Sequence, residues 1–148
     1  MDLKKDMLLT FKSSFIHSTD ENDKIEFVTP AEFLRKNDKY YITFDDIKES
    51  SNDKTKSTLK VENDKITLLR YGANSTQFIF EQGKKHTGQY ETEYGAFSVG
   101  IFSDSVSINI NDDGGNLDVS YGIYFEDEIS HYNKLSINLH EMRGIPKC

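Results

Sequence analysis

The sequence predicts an all-β fold: a single antiparallel closed β-barrel of about 8–10 strands joined as a meander. Three observations carry this expectation. Apolar residues recur with a period of two almost from end to end, turn-forming residues separate the runs, and the intervals leave no room for crossover helices. Antiparallel neighbours are therefore forced, and closing the sheet removes the exposed edges that an open one would leave.

The runs can be taken in order. Met7, Leu9, Phe11 and Phe15 share a face, and so do Ile25 and Phe27. The stretch Thr29-Pro30-Ala31-Glu32-Phe33 has the look of a helix start, with Thr as cap and Pro in the first position. Phe27, Phe33 and Arg35 nevertheless keep a strand phase, so a bent strand is expected through Thr29–Lys36. Tyr40, Ile42 and Phe44 follow, then Leu59 with Val61, Ile66 with Leu68, and Phe78 with Phe80. Tyr90, Thr92 and Tyr94 form a mostly aromatic face opposite Gln89, Glu91 and Glu93.

The next run breaks its own pattern. Phe97, Val99 and Ile101 are odd-numbered, whereas Val106, Ile108 and Ile110 are even. A slip of one residue turns every side chain to the other face, so a bulge is expected within Ser103-Asp104-Ser105. The cleanest alternation is Asn116–Glu126, with Leu117, Val119, Tyr121, Ile123 and Phe125 on one side; Leu135, Ile137 and Leu139 repeat it.

Asn37-Asp38 and Asn63-Asp64 lie between alternating runs, as hairpin turns do, and Asp112-Asp113-Gly114-Gly115 is another hairpin loop. Asn-Asp-Lys recurs from Asn22, Asn37, Asn52 and Asn63 with unmatched flanks, which is turn chemistry and not a repeat. The longest polar stretch, Asp45 to Lys56, is expected to be a loop. No linker divides the chain, so residues 1–148 read as one domain, with a core at about 8–141 and a tail at 142–148.

Composition narrows the function classes. A net charge of −7 disfavours nucleic acid and anionic membranes, and the lysines are scattered without a basic stripe. The single Cys148 permits no disulfide framework, and no run approaches a secretory or membrane-spanning segment. These features point to the cytoplasm.

Catalytic motifs are weak. Asn109, Asn111, Asp113 and Gly114 match the start of a calcium loop, but Ser120 stands where its bidentate Glu belongs. His17, His86, His131 and His140 show no short metal-ligand spacing. Gly95-Ala96-Phe97-Ser98-Val99-Gly100 is one residue too long for a nucleophile elbow, and no phosphate-binding loop is present. The expectation is no metal, no cofactor and no catalytic residue, which ranks an enzyme behind two binding readings.

The constellation that merits a ligand is Arg70, Tyr90, Thr92, Tyr94 and Tyr121. Arg70 continues the face of Ile66 and Leu68, so an inward face would carry a guanidinium into the barrel, where it needs an acceptor. The tyrosines would bring hydroxyls to the same interior, as small-molecule pockets require. The competing reading has Arg70 reaching solvent at a strand end or pairing internally as structure.

Four elements in sequence also resemble a known family. They are Arg70-Tyr71-Gly72 closing a strand, Phe80 shortly before Gly83, Tyr90-Glu91-Thr92-Glu93-Tyr94-Gly95 opening a long strand, and Asn116–Tyr124 with Asn133–Glu141 as a closing hairpin. Their order and spacing over Leu8–Glu141 are similar to the YwiB-like proteins, a bacterial family of unknown function with a calycin-like barrel. The resemblance implies a fold akin to lipocalins and fatty-acid-binding proteins, which hold apolar ligands inside, and it implies a strand at Thr29–Lys36. It carries over no catalytic or binding residue. The chain departs from ligand-carrying relatives in having no Trp and no helical lid segment.

The function expected is therefore non-enzymatic binding of a small, partly apolar ligand inside the barrel. The alternative is an interaction protein that uses its acidic surface or a strand edge around a solid core. Neither composition nor pattern carries a signal for oligomeric state.

Overall fold

In the structure, a computed structural model, residues 3–15, 24–46, 55–71, 75–92 and 95–141 are described. They form ten strands: β1 (Leu3–Phe15), β2 (Lys24–Lys36), β3 (Lys39–Asp46), β4 (Thr55–Val61), β5 (Lys65–Tyr71), β6 (Thr76–Glu81), β7 (Lys85–Thr92), β8 (Gly95–Asn111), β9 (Gly114–Phe125) and β10 (Glu128–Glu141). Each pairs antiparallel with its neighbours in sequence, and β1 closes the barrel on β10, from Met7↔Glu141 to Phe15↔Asn133. Among the described residues no helix is long and apolar enough to cross a membrane.

The alternation in the sequence becomes the two faces of the wall. Met7, Leu9 and Phe11 of β1 point in, as do Ile42 and Phe44 of β3, Leu117 and Val119 of β9, and Leu135, Ile137 and Leu139 of β10. Among the described residues, twenty apolar side chains are buried inside. Each fully buried large side chain stabilises the fold by roughly 1.5–3 kcal/mol over its exposed state. Aromatic rings fill the width that ten strands create, with Phe11 stacked on Phe27 at 4.8 Å and Phe33 against Tyr40 at 5.1 Å.

Thr29–Lys36 is strand, as the phase requires. β3 pairs with β2 only from Ala31 onward, so Pro30 sits where that side of the strand has no ladder to interrupt. The phase reversal in β8 is a register shift between Ser103 and Ser105: Val99 and Ile101 face in above it, and Val106, Ile108 and Ile110 pack on the core below it. The loop expected over Asp45–Lys56 is shorter than that, because Asp45↔Lys56 and Asp46↔Thr55 still pair across β3 and β4; residues 47–54 lie outside the described residues. Tyr90 and Thr92 lie on β7, as their shared phase requires, and Tyr94 lies outside the described residues. β7 ends at Thr92 and β8 returns from Gly95, the two residues pairing across the reversal.

The meander makes the two ends of the barrel unlike. At the turn end, hairpins are tight: Asn37 and Asp38 take φ of 53° and 64°, and Asp112-Asp113 joins β8 to β9. Asn63-Asp64 turns without positive φ, closed by a Glu62 N–H to Lys65 carbonyl bond of 2.9 Å. At the opposite, loop end lie the longer connections and the Glu126-Asp127 turn, which takes φ of 48° and 67° without an Asn or Gly to favour it.

One seam is thin. Among the described residues β6 and β7 pair only at Thr76↔Tyr90 and Gln77↔Gln89. Below those pairs the Phe78 ring closes the gap over Gly88, where a Cβ would lie 2.7 Å from Phe78 Cδ1. The hairpin tip then leans on β8, with Gly83 N–H donating to the Ser103 carbonyl at 2.8 Å. His86 Nε2 meets Glu81 Oε1 at 2.9 Å across the same hairpin.

At the turn end the Asp112 carboxylate receives hydrogen bonds from Arg35 and, at 3.0 Å, from the Tyr40 hydroxyl, pinning the β2–β3 hairpin to the β8–β9 hairpin. The Arg35 hydrogen bond is the chief cause that holds Asp112 below its ordinary pKa, partial burial opposing it. A depressed carboxylate stabilises the fold above the unfolded pKa, ~3.9, and that contribution is lost as pH falls through the folded value. Urea midpoints of the native chain should therefore exceed those of Asp112→Asn at neutral pH, and the two should converge in acid. An unchanged gap down to pH ~2 would contradict the pairing.

Candidate functional site

Polar groups gather inside the loop end because the inward phase of several strands turns from apolar to polar residues there. On β1, Phe11 is followed in phase by Ser13; on β5, Leu68 is followed by Arg70. On β4 and β6, Ser57 and Thr76 precede Leu59 and Phe78, and on β10 Asn133 precedes Leu135. Ser57, Thr76 and Asn133 are buried, and Arg70 is half-buried with its Nε atom inside.

Arg70 is central to this group. It pairs with Ser57 on one side and Thr76 on the other. Ser57 is 0% exposed, and its hydroxyl oxygen has no hydrogen-bond partner among the described residues. Leaving such a group unsatisfied costs about 1–3 kcal/mol, so the position is expensive unless something occupies it. Arg70 and Thr76 also line a crevice of ≈ 190 Å³ at the rim, beside Leu69, Gln77 and Ala96.

Tyr121 stands across the interior on β9, 6% exposed, its ring 4.7 Å from that of Phe80. Its hydroxyl accepts a 2.7 Å hydrogen bond from Asn133 Nδ2, which also donates to Ser13 Oγ at 3.0 Å. Burial pushes the Tyr121 phenol above its ordinary pKa, while the Asn133 bond and the positive charge of Arg70 pull it back. The phenol is thus neutral at physiological pH, and the guanidinium is close enough for its field to be felt.

The structure brings together two of the five expected residues, Arg70 and Tyr121. Tyr90 is paired with Thr76 and Thr92 with Gly95, but their side chains, and Tyr94 altogether, lie outside the described residues. Ser13, Ser57, Thr76 and Asn133 were missed because each reads as an ordinary turn-flanking polar residue. Extending each strand's phase by one step toward the loop end would have found all four.

A second recess, ≈ 900 Å³ and open to solvent, lies at the turn end between Arg35, Tyr40, Asn63 and Asp112. Asp112 already bonds Arg35 and Tyr40, so these groups serve the hairpin clamp first. Among the described residues no group of three or more His, Cys, Asp or Glu could hold a metal ion.

A closed ten-strand meander with this interior invites comparison with known proteins. The family described as "Domain of unknown function (DUF1934)" matches residues 9–137, nearly the whole barrel. The chain belongs to the DUF1934 family. A relative, the "Uncharacterized beta-barrel protein YwiB" of Bacillus subtilis (strain 168), is 22% identical over 136 residues, covering 91% of this chain and 94% of its own. The crystal structure of ywiB protein from Bacillus subtilis superposes with a TM-score of 0.80 at 19% identity, over 93% of this chain and 92% of the other. That likeness establishes the fold. For this DUF1934 barrel the residues at the loop end, and not a relative's name, must carry the functional reading.

Proposed function

We propose that this barrel is a non-enzymatic, calycin-like binding protein of the cytoplasm, taking a small, partly apolar anion at the loop end of its interior. One observation carries the reading: Ser57, fully buried and with an unsatisfied hydroxyl, lies directly across the ladder from the inward Arg70. A carboxylate between them would accept from both, while Phe78, Phe80 and Tyr121 supply apolar contact for a short tail.

Size restricts the ligand. A drug-sized molecule asks for ~300–1,000 Å³. The ≈ 190 Å³ crevice beside Arg70 adds nothing to the interior, because Leu69, Tyr71, Gln77 and Gln89 line it from the outer side of the rim. Below Arg70 the interior is occupied by Leu59, Val61, Ile66 and Phe80.

The test is NMR titration with hexanoate, using hexanol as the uncharged control. Hexanoate should shift the Ser57, Arg70 and Tyr121 resonances and saturate; hexanol should not. Arg70→Met should weaken hexanoate about 10- to 100-fold, the value of one or two charge-assisted hydrogen bonds. Equal binding of acid and alcohol, or an unaffected Arg70→Met, would overturn the reading.

A further inference from the structure

The outer wall of β7–β10 carries a feature that the interior site does not use. Ahead of the β8 bulge, even-numbered residues of β8 face out with those of β9, and Phe102, paired with Gly122, stands beside Tyr124, Tyr132 and Ile129. Gly122 is the floor of this group: a Cβ on it would lie 2.9 Å from Ile129 Cδ1, 3.2 Å from Tyr124 Cε1 and 3.3 Å from Tyr132 Cδ1. Aromatic and aliphatic side chains thus fold over a glycine on the solvent side of the wall, with Ile129 42% exposed. Other apolar side chains such as Ile25 and Val28 are also exposed, but here one stands with three aromatic rings over a single glycine, and a contiguous patch marks contact sites more often than scattered single residues do.

Its electrostatic surroundings are acidic. The β9–β10 turn contributes Glu126, Asp127 and Glu128, all exposed; the Tyr132 phenol is raised above its ordinary pKa chiefly by neighbouring Tyr124 and by burial, with Asp104 of the β8 bulge adding to it. A cation already rests on the patch. Lys85 Nζ lies 4.4 Å from the Tyr124 ring centroid and 3.5 Å from Asp127, its stem packed over Gly100, where a Cβ would meet Lys85 Cε at 2.6 Å. The next outward lysine on β10, Lys134, pairs with Ser120 one step down the wall and bounds the patch below.

We infer that this outer face is a docking surface for a basic protein segment, whose Arg or Lys side chains lie over Tyr124 and Tyr132 with the acidic turn around them. Lys85 is the intramolecular occupant that such a segment displaces. Charge complementarity selects the partner: the chain's net charge of −7 and the acids of the turn repel nucleic acid and anionic lipid but attract a guanidinium or ammonium. The tyrosine faces then add cation–π attraction, worth about a two- to fivefold gain in affinity per contact at an exposed site.

The probe is a ten-residue Arg-Gly repeat peptide, with a Glu-Gly repeat as control, titrated into the full chain and followed by NMR and calorimetry. The basic peptide should bind saturably, shifting Phe102, Tyr124, Ile129 and Tyr132, and weaken at high salt. Lys85→Ala should tighten it about two- to fivefold by clearing the ring, and Tyr132→Ser should weaken it by a similar factor. Glu32→Gln, exposed on β2, should change nothing. No binding, equal binding to Lys85→Ala, or a Glu32→Gln effect as large as that of Tyr132→Ser would overturn the inference. Hexanoate binding by the same variants reports on the interior site separately.

Discussion

Gly115→Ala should cost at least about 3 kcal/mol, the largest loss expected from adding a single methyl to this barrel. Gly115 has φ of +138°, a conformation open almost only to glycine, and its Cβ would lie 1.8 Å from the Asn109 carbonyl oxygen. The obstacle is backbone, so no side chain can swing aside. Gly115 pairs with Ile110 on one side and Leu139 on the other, so relief would have to move β8 away from the β9–β10 ladder. Gly83→Ala is the control, because Gly83 has φ of +74° with open space around its would-be Cβ. That variant should bear only the backbone term of about 1–2 kcal/mol. Urea unfolding measures both, and nearly equal midpoints would contradict the overlap.

Phe80→Ala comes next, at about 3–5 kcal/mol. Phe80 is 0% exposed, contacts Tyr121 face-on-tilt at 4.7 Å and meets Phe78 edge-on at 6.4 Å. Elsewhere in the wall a lost ring would leave a cavity behind an intact ladder. Here β6 and β7 share only two pairs among the described residues, so ring packing does much of what hydrogen bonds do at the other seams. The loss should therefore show locally as well as globally. Amide exchange should quicken in β6 and β7 before the rest of the barrel, and Tyr121 fluorescence should change with it. Phe125→Ser, at a 44% exposed site, should stay within ~0.5 kcal/mol of the native chain. A Phe80→Ala midpoint close to that of Phe125→Ser would sink the assignment of Phe80 as a seam residue.

Strand placement was legible because a dry and a wet face impose a two-residue rhythm that few other structures imitate. Leu117 to Ile123 shows it directly, and the odd-to-even switch around Ser103 admits a bulge or a turn, of which the structure has the bulge. Turns were legible where Asn and Asp supply positive φ, as at Asn37-Asp38. Glu126-Asp127 was not, since Glu has no such preference and only the tertiary pairing of β9 with β10 holds it there. The interior site was half legible. Arg70 and Tyr121 announce themselves by size and chemistry, whereas Ser57 and Asn133 matter only through which face they occupy at a strand's last step. The outer patch was not foreseen at all: Phe102, Tyr124 and Tyr132 sit in the wet phase of their strands, and only the cross-strand register gathers them over Gly122.

Closure of β1 on β10 joins residues more than a hundred positions apart, as at Thr10↔Asn138. Such a contact is dear in loop entropy and arrives late, so folding of this chain should be slow for its size. During synthesis β1 waits with a bare edge until β10 has left the ribosome, and a nascent chain stalled before that point is a ready template for aggregation.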